Sequence, residues 1–333
     1  MGPSLRRLLG GIALLVALAG VTLVSLSIGS GNATGVHVWG ALTAFDGSNE
    51  HIIVREMRLP RTIIGLAVGA ALGVAGGLMQ AITRNPLAEP GILGVNAGAS
   101  FAIVTAVYVF GAVSPLGYVW FAFLGATCAV IVVYLLSTVA GSKSTPVTLA
   151  LAGVVVTMLL SSWITLILVF NERTLDEVRF WLAGSIADRD LGELTYLAPF
   201  FTVALVAGVL LARQLNALNL GDDVARSLGV NILRVRLLSG AVVVVLAGAA
   251  VAAAGPIGFV GLAVPHIARA MAGADYRWIQ GYAVLLGPIL LVAADTIGRV
   301  ILVSGELQVG IITALLGAPV LIMLARRRKL VSV

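Results

Sequence analysis

Gly255-Pro256-Ile257-Gly258-Phe259-Val260-Gly261-Leu262-Ala263-Val264-Pro265-His266 is the stretch on which the topology of this chain turns. It is apolar enough for a bilayer, yet glycine and proline crowd its start and a second proline follows at position 265. Irregular backbone exposed to hydrocarbon leaves N–H and C=O groups without partners, so such a segment crosses only where protein encloses it. Whether it crosses decides where the chain ends. If it does not, the basic cluster Arg326-Arg327-Arg328-Lys329 falls on the opposite side from Arg6 and Arg7. Basic flanks prefer the cytoplasmic side, so residues 257–272 are read as a short span.

Working outward, nine further apolar stretches reach or approach crossing length: 8–28, 62–82, 94–112, 117–139, 147–170, 195–213, 236–254, 279–303 and 309–325. A bilayer core takes roughly 20 apolar residues per helical pass. The expected fold class is therefore all-α and integral to the membrane, with about ten transmembrane helices forming a single domain over residues 1–333. Composition agrees, with 59% hydrophobic and 11% charged residues and a mean hydropathy of +1.07, outside the range of soluble globular domains. The 8–28 stretch is longer than the roughly 7–15 apolar residues of a secretory signal, and is read as the first helix.

In that register fourteen of the 21 basic residues lie inside, among them Arg84, Lys143, Arg213, Arg226, Arg236 and Arg269. Seven lie outside: Arg55, Arg58, Arg61, Arg173, Arg179, Arg189 and Arg299. Most acids fall outside as well, including Glu50, Glu56, Asp188, Asp190, Glu193 and Glu306. Both termini are then cytoplasmic. The formal charge of +6 is a product of this topology, because the basic residues flank apolar segments and form no stripe for nucleic acid. Cys128 is single, which excludes an internal disulfide, and His37, His51 and His266 are scattered, so no metal site is assigned.

Five local patterns stand out. The second span carries Gly65, Gly69, Gly73 and Gly77 on one face, where a neighbouring helix can approach closely. At its outer mouth Arg58-Leu59-Pro60-Arg61 places two guanidiniums at an expected helix start, with proline suited to the first turn. Helix N-termini favour anions, so these arginines serve either as interfacial anchors or as acceptors for carboxylates on a docking partner. Between the second and third spans Arg84-Asn85-Pro86-Leu87-Ala88-Glu89-Pro90-Gly91 reads as a tight connection in which Asn85 caps a short helix begun by Pro86. The largest inside loop, residues 216–236, contains Asp222-Asp223-Val224-Ala225-Arg226-Ser227-Leu228-Gly229, read as a short surface helix with acids at its start and glycine at its end. On the ninth span Asp295 and Arg299 share a face four residues apart, and an intramembrane charge is a functional candidate by default. No phosphate-binding loop is present, since Gly141-Ser142-Lys143-Ser144 lacks the required glycine spacing.

Taken together these segments, with Trp181-Leu182-Ala183-Gly184-Ser185, Gly258-Phe259-Val260-Gly261-Leu262, Pro265-His266 and Gly317-Ala318-Pro319, resemble the FecCD family of membrane subunits of ABC importers for iron-siderophores, haem and vitamin B12. The likeness spans nearly the whole chain. It implies a type II ABC importer permease in the bacterial cytoplasmic membrane. The implied partners are a second permease subunit (a copy or a related chain), two cytoplasmic ATP-binding subunits that hold ATP and magnesium, and an extracytoplasmic substrate-binding protein; this chain itself carries no cofactor. Arg58, Arg61 and Arg299 would receive carboxylates of the binding protein. Residues 222–229 would couple to the ATPase, and Asn85, Pro86, Glu89, Pro90, Gly91, Gly184, Ser185, Gly258, Pro265, His266 and Asp295 would be motif or structural positions. One departure is Glu306-Leu307-Gln308-Val309-Gly310, with Gln308 where the family carries proline.

The expected function is ATP-driven alternating access, with ferric siderophore as cargo and haem or cobalamin as alternatives. An ion-gradient-driven transporter would need several buried carboxylates or histidines as relays, and an intramembrane enzyme a clustered catalytic set. Asp295 alone meets the first requirement, and no cluster meets the second.

Overall fold

Around the 59–83 segment the chain wraps a bundle of helices. The structure, a computed structural model, describes residues 3–29, 35–111, 114–139, 146–187, 189, 191–302 and 305–327. The expected positions of Lys143 with the 141–144 sequence, of Asp188 and Asp190, and of Arg328 and Lys329 lie outside these residues. In chain order the helices are α1 (Pro3–Ser27), α2 (Gly35–Thr43), α3 (Asn49–Ile52), α4 (Leu59–Thr83), α5 (Val95–Phe110), α6 (Pro115–Val139), α7 (Pro146–Phe170) and α8 (Glu172–Leu182). They continue as α9 (Leu191–Leu210), α10 (Ala212–Asn219), α11 (Asp222–Ser227), α12 (Ile232–Ala254), α13 (Val260–Ala272), α14 (Tyr276–Val300) and α15 (Val309–Arg327). A π turn, Ile53–Arg58, joins α3 to α4, and a 3-10 turn, Pro90–Leu93, precedes α5.

Helices α1, α4, α6, α7, α12 and α14 are long and apolar enough to cross a bilayer alone. Helix α9 continues into α10 through a 42° bend, and α5, α13 and α15 are shorter apolar helices. Among the described residues each expected span falls on one of these elements, in agreement with about ten passes. Helix α4 is the hub: its apolar window is 83% buried, against 11% for α1 at the rim. The rim exposes Leu8, Ile12, Leu15 and Val16 of α1 and Leu151, Met158 and Leu159 of α7, side chains that hydrocarbon solvates at no cost.

The glycine face of α4 packs against α14, where a Cβ on Gly69 would stand 2.6 Å from the carbonyl of Gly287. Lipid removes the hydrophobic drive for such a contact, so backbone-to-backbone dispersion holds it. Gly76 meets the backbone of Gly261 in the same manner.

Two local expectations change. The Arg58-Leu59-Pro60-Arg61 stretch does not begin a helix, because the chain is already helical from Asn49 through the π turn. Pro60 lacks an N–H and its ring crowds the carbonyl four residues back. The wider turn, in which Leu59 N–H bonds the carbonyl of Val54, makes room for it. Second, Asn85 and Pro86 open no helix: the Asn85 side chain accepts the Leu87 N–H at 3.0 Å in a turn, and the helical turn begins at Pro90. A residue before proline is pushed to extended backbone, and Glu89 is extended, so a helix begun at Pro86 has nowhere to run.

The broken crossing is enclosed as expected. Gly255 and Phe259 take left-handed backbone, which delays α13 to Val260. The surrounding polar groups find partners: Ser185 N–H donates to Ala254 O at 2.8 Å, Gly310 N–H to Gly184 O at 3.0 Å, and Phe259 N–H to the Glu89 carboxylate at 3.0 Å. Asn96 reaches Ile257 O at 3.5 Å. Every one of these partners is protein, as a non-helical crossing requires.

Candidate functional site

The close packing of α4 on α14 brings Arg61 opposite Asp295. Arg61 grips that carboxylate with two nitrogens, Nε to Oδ2 at 3.0 Å and Nη2 to Oδ1 at 2.8 Å. Its remaining arm, Nη1, donates to Glu306 at 2.5 Å. From one turn further along α14, Arg299 approaches the other side of Asp295, with Nε at 2.9 Å and Nη2 at 2.5 Å from Oδ2. A buried carboxylate thus lies between two guanidiniums, and Asp295 is 1% exposed.

The remaining arm of Arg299 and the guanidinium of Arg58 serve the end of α1. Arg299 Nη1 donates to the Ser25 carbonyl at 2.9 Å, and Arg58 donates to the carbonyls of Leu26 at 2.9 Å and Gly29 at 3.2 Å. The last carbonyls of a helix lack internal partners and carry its negative dipole end, so these are favourable seats for cations. The electrostatic misfit that the sequence suggested for Arg58 disappears, because it neighbours a helix C-terminus that is distant in the sequence. Ser25 and Thr62 complete the seam with a 2.8 Å hydroxyl contact. Arg58 and Arg299 are buried, whereas Glu306 keeps 33% of its side chain exposed. A cavity of about 30 Å³ lies beside them, lined by Gly29, Ile53, Met57, Arg58, Arg61, Arg299 and Glu306.

At the opposite end of α4 a second aspartate bridges two arginines. Asp222 contacts Arg84 and stands 3.2 Å from Arg236, while Arg84 also donates to Leu218 O at 2.7 Å. This ties α11 to the end of α4 and the start of α12. Helix α11 stops in a left-handed glycine: Gly229 N–H returns to Arg226 O at 2.9 Å and Val230 N–H to Ala225 O at 3.0 Å. That closure is the cap expected for residues 222–229. Ala225 is buried beneath the helix, Val224 and Leu228 face outward, and Asp223 pairs with Arg226 at the surface at 3.1 Å. Residues Asp222, Arg226, Val230, Asn231, Ile232, Leu233 and Arg236 line an open cavity of about 440 Å³. Partial burial pushes the Asp222 carboxyl up, but Arg236 and Arg84 outweigh it and hold the group below its ordinary 3.8. Nearby, Asn216 bonds Asp275 at 2.7 Å and the Tyr276 N–H at 2.8 Å, fastening α10 to α14.

The motif residues lie between these ends. Glu89, from the α4–α5 link, receives the first N–H of the turn into α13, and Pro90 packs against Gly261. Gly91 is adjacent to Glu89. Gly184 meets Pro256 and Gly310, Ser185 bonds the end of α12, and Gly258 leads into Phe259, whose ring abuts Gly317. Pro265 is buried within α13 beside half-buried His266. Sequence reasoning missed Glu89 as a cap, Glu306 and Ser25 as members of the arginine cluster, and Arg84 as partner of Asp222. Their separations, 138 residues for Arg84 and Asp222 and 245 for Arg61 and Glu306, leave no local signal.

Comparison with known proteins places this architecture. The model of the FecCD transport family matches residues 15–327. The ferric enterobactin transport system permease protein FepD of Escherichia coli is 44% identical over 318 residues, 96% of this chain and 94% of that protein. The Fe(3+)-citrate import system permease protein YfmD of Bacillus subtilis is 42% identical over 324 residues, 97% and 96% of the two chains. Among solved structures, a metal-chelate type ABC transporter in an inward-facing conformation matches with a TM-score of 0.81 and 29% identity over 95% of this chain and 98% of that one. A bundle of about ten membrane passes, enclosing the broken crossing that leads into α13 and matched almost end to end, makes this chain a multi-pass permease that belongs to the FecCD transport family.

Proposed function

We propose that this chain is the permease subunit that carries a ferric siderophore across the bacterial cytoplasmic membrane, with the Arg61 end outside and the Asp222 end and both termini inside. The observation that carries the reading is the near full-length match to a family whose similar members are permeases for ferric enterobactin and ferric citrate. Two permease subunits, identical or related, would enclose the path between them. Two ATP-binding subunits, holding ATP and magnesium, would seat against α11 and the cavity beside it. ATP binding closes the ATPase pair, α11 transmits the movement through Asp222 to α4 and α12, and the path changes the side it faces. An extracytoplasmic binding protein would deliver cargo at the end marked by Arg58, Arg61 and Arg299, with carboxylates addressed to the guanidiniums.

The geometry narrows how docking is tested. Reversing Arg58 would set a carboxylate against the carbonyls of α1, so loss of docking there could reflect a damaged helix. Arg61 is the informative position, because its arm toward Glu306 points to the partly exposed side. The cargo assignment is tested by uptake of radiolabelled iron in cells lacking the chain. Loss of ferric siderophore uptake, restored by the gene and unaccompanied by loss of haem or cobalamin uptake, is the expected result. Retained siderophore uptake with lost haem or cobalamin uptake would reassign the cargo.

A further inference from the structure

The Arg61 cluster holds two carboxylates under very different restraint. Asp295 is held by four bonds of 3.0 Å or less from Arg61 and Arg299 and is sealed from solvent. Glu306 is held by Arg61 alone among the described bonds and is one-third exposed. It sits on the non-helical link before α15, between Gly305, in left-handed backbone, and Leu307, whose N–H is anchored to Gly298 O at 3.0 Å. Glycine precedes the carboxylate and no proline lies among residues 305–309, so no ring fixes this short link. The small cavity opens beside Glu306 and reaches the arginines behind it.

An acidic side chain arriving from outside therefore meets Glu306 first, on the one arm of Arg61 that is not committed to Asp295. We propose that Glu306 is a resident placeholder: it neutralises Arg61 while the permease is undocked and yields that arm to a carboxylate of the docking protein. This rests on the docking role proposed above for Arg61. The physical need is plain: Asp295 is shared by Arg61 and Arg299, so without Glu306 two guanidiniums would face a single carboxylate and leave an uncompensated, partly buried positive charge between docking events. The exchange replaces one ion pair by another, so docking gains specificity for a carboxylate with little net change in buried charge. The cost is competition, because Glu306 lowers the affinity of the partner it prepares for.

The test is titration of the assembled transporter, in nanodiscs, with its cognate extracytoplasmic binding protein. Glu306→Gln is expected to tighten docking about threefold to fivefold, the equivalent of one partly exposed ion pair. Glu306→Asp, which keeps the charge but shortens the reach, should give a smaller gain. Arg61→Gln should weaken docking, and the Glu306→Gln gain should vanish in that background. Glu56→Gln removes an exposed charge from the same end without touching Arg61 and should change little. If Arg61→Gln weakens docking while Glu306→Gln weakens it too or leaves it unchanged, Glu306 is a structural brace and the placeholder idea falls, with the docking reading intact. Equal gains from Glu56→Gln and Glu306→Gln would replace exchange by a general field effect. If Arg61→Gln leaves docking unchanged, the docking reading and this inference fall together.

Discussion

Asp295 and Asp222 each bridge two arginines, one near either end of α4, yet they occupy different physical worlds. Asp295 is 1% exposed between Arg61 and Arg299, whereas the Asp222 side chain is 32% exposed between Arg84 and Arg236. In the first, water cannot replace a lost partner. In the second, water and salt can. The same residue types therefore make a fixed joint at one end and an adjustable seat at the other.

The largest expected effect comes from breaking the buried bridge. Asp295→Ala leaves two guanidiniums with an uncompensated charge and should lower stability by about 3–5 kcal/mol, read as a large fall in the melting temperature of the purified protein. A variant that melts like the parent would mean the bridge is not the joint described. Next is the packing that creates the bridge. Gly69→Ala puts a methyl group into the backbone of Gly287, so a loss of about 1–3 kcal/mol is expected, together with weaker receptor docking as Arg61 and Asp295 separate.

At the other end, Asp222→Asn should cost no more than about 1 kcal/mol in stability yet measurably weaken association of the ATP-binding subunit. Its pH dependence sharpens the contrast. Asp222 is held below 3.8, so its stabilisation is fully present above that unfolded value and is lost as pH falls through the lower folded value. The melting difference between the parent and Asp222→Asn should be flat from about pH 8 to about pH 5 and close below about pH 4. The smallest effect belongs to Arg226→Gln, which removes only a surface pair with Asp223 three residues away; a change within about 0.5 kcal/mol is expected.

The features legible before the structure were those written in local spacing. Asp295 and Arg299 are four apart on a helix, and their contact follows from that alone. The acids and the glycine that bound α11 state its limits directly, and the glycine face of α4 announces a close neighbour without naming α14. Where the reading failed, a second local factor intervened. Pro60 was read as a helix start because prolines favour first turns, but a π turn let the helix run past it. Pro86 was read as a start as well, until Pro90 forced Glu89 into extended backbone.

Sequence by itself determined that this chain lives in lipid, crosses it about ten times, and must hide the broken run at residues 255–259, because hydrocarbon tolerates neither scattered charge nor unpaired backbone. Only tertiary structure decided that Arg58 and Arg299 close the end of α1, that Arg61 is shared by Asp295 and Glu306, and that Glu89 caps α13. These pairings join residues up to 274 positions apart, and chain spacing carries no information about which helix end will lie beside which arginine until the glycine faces have packed.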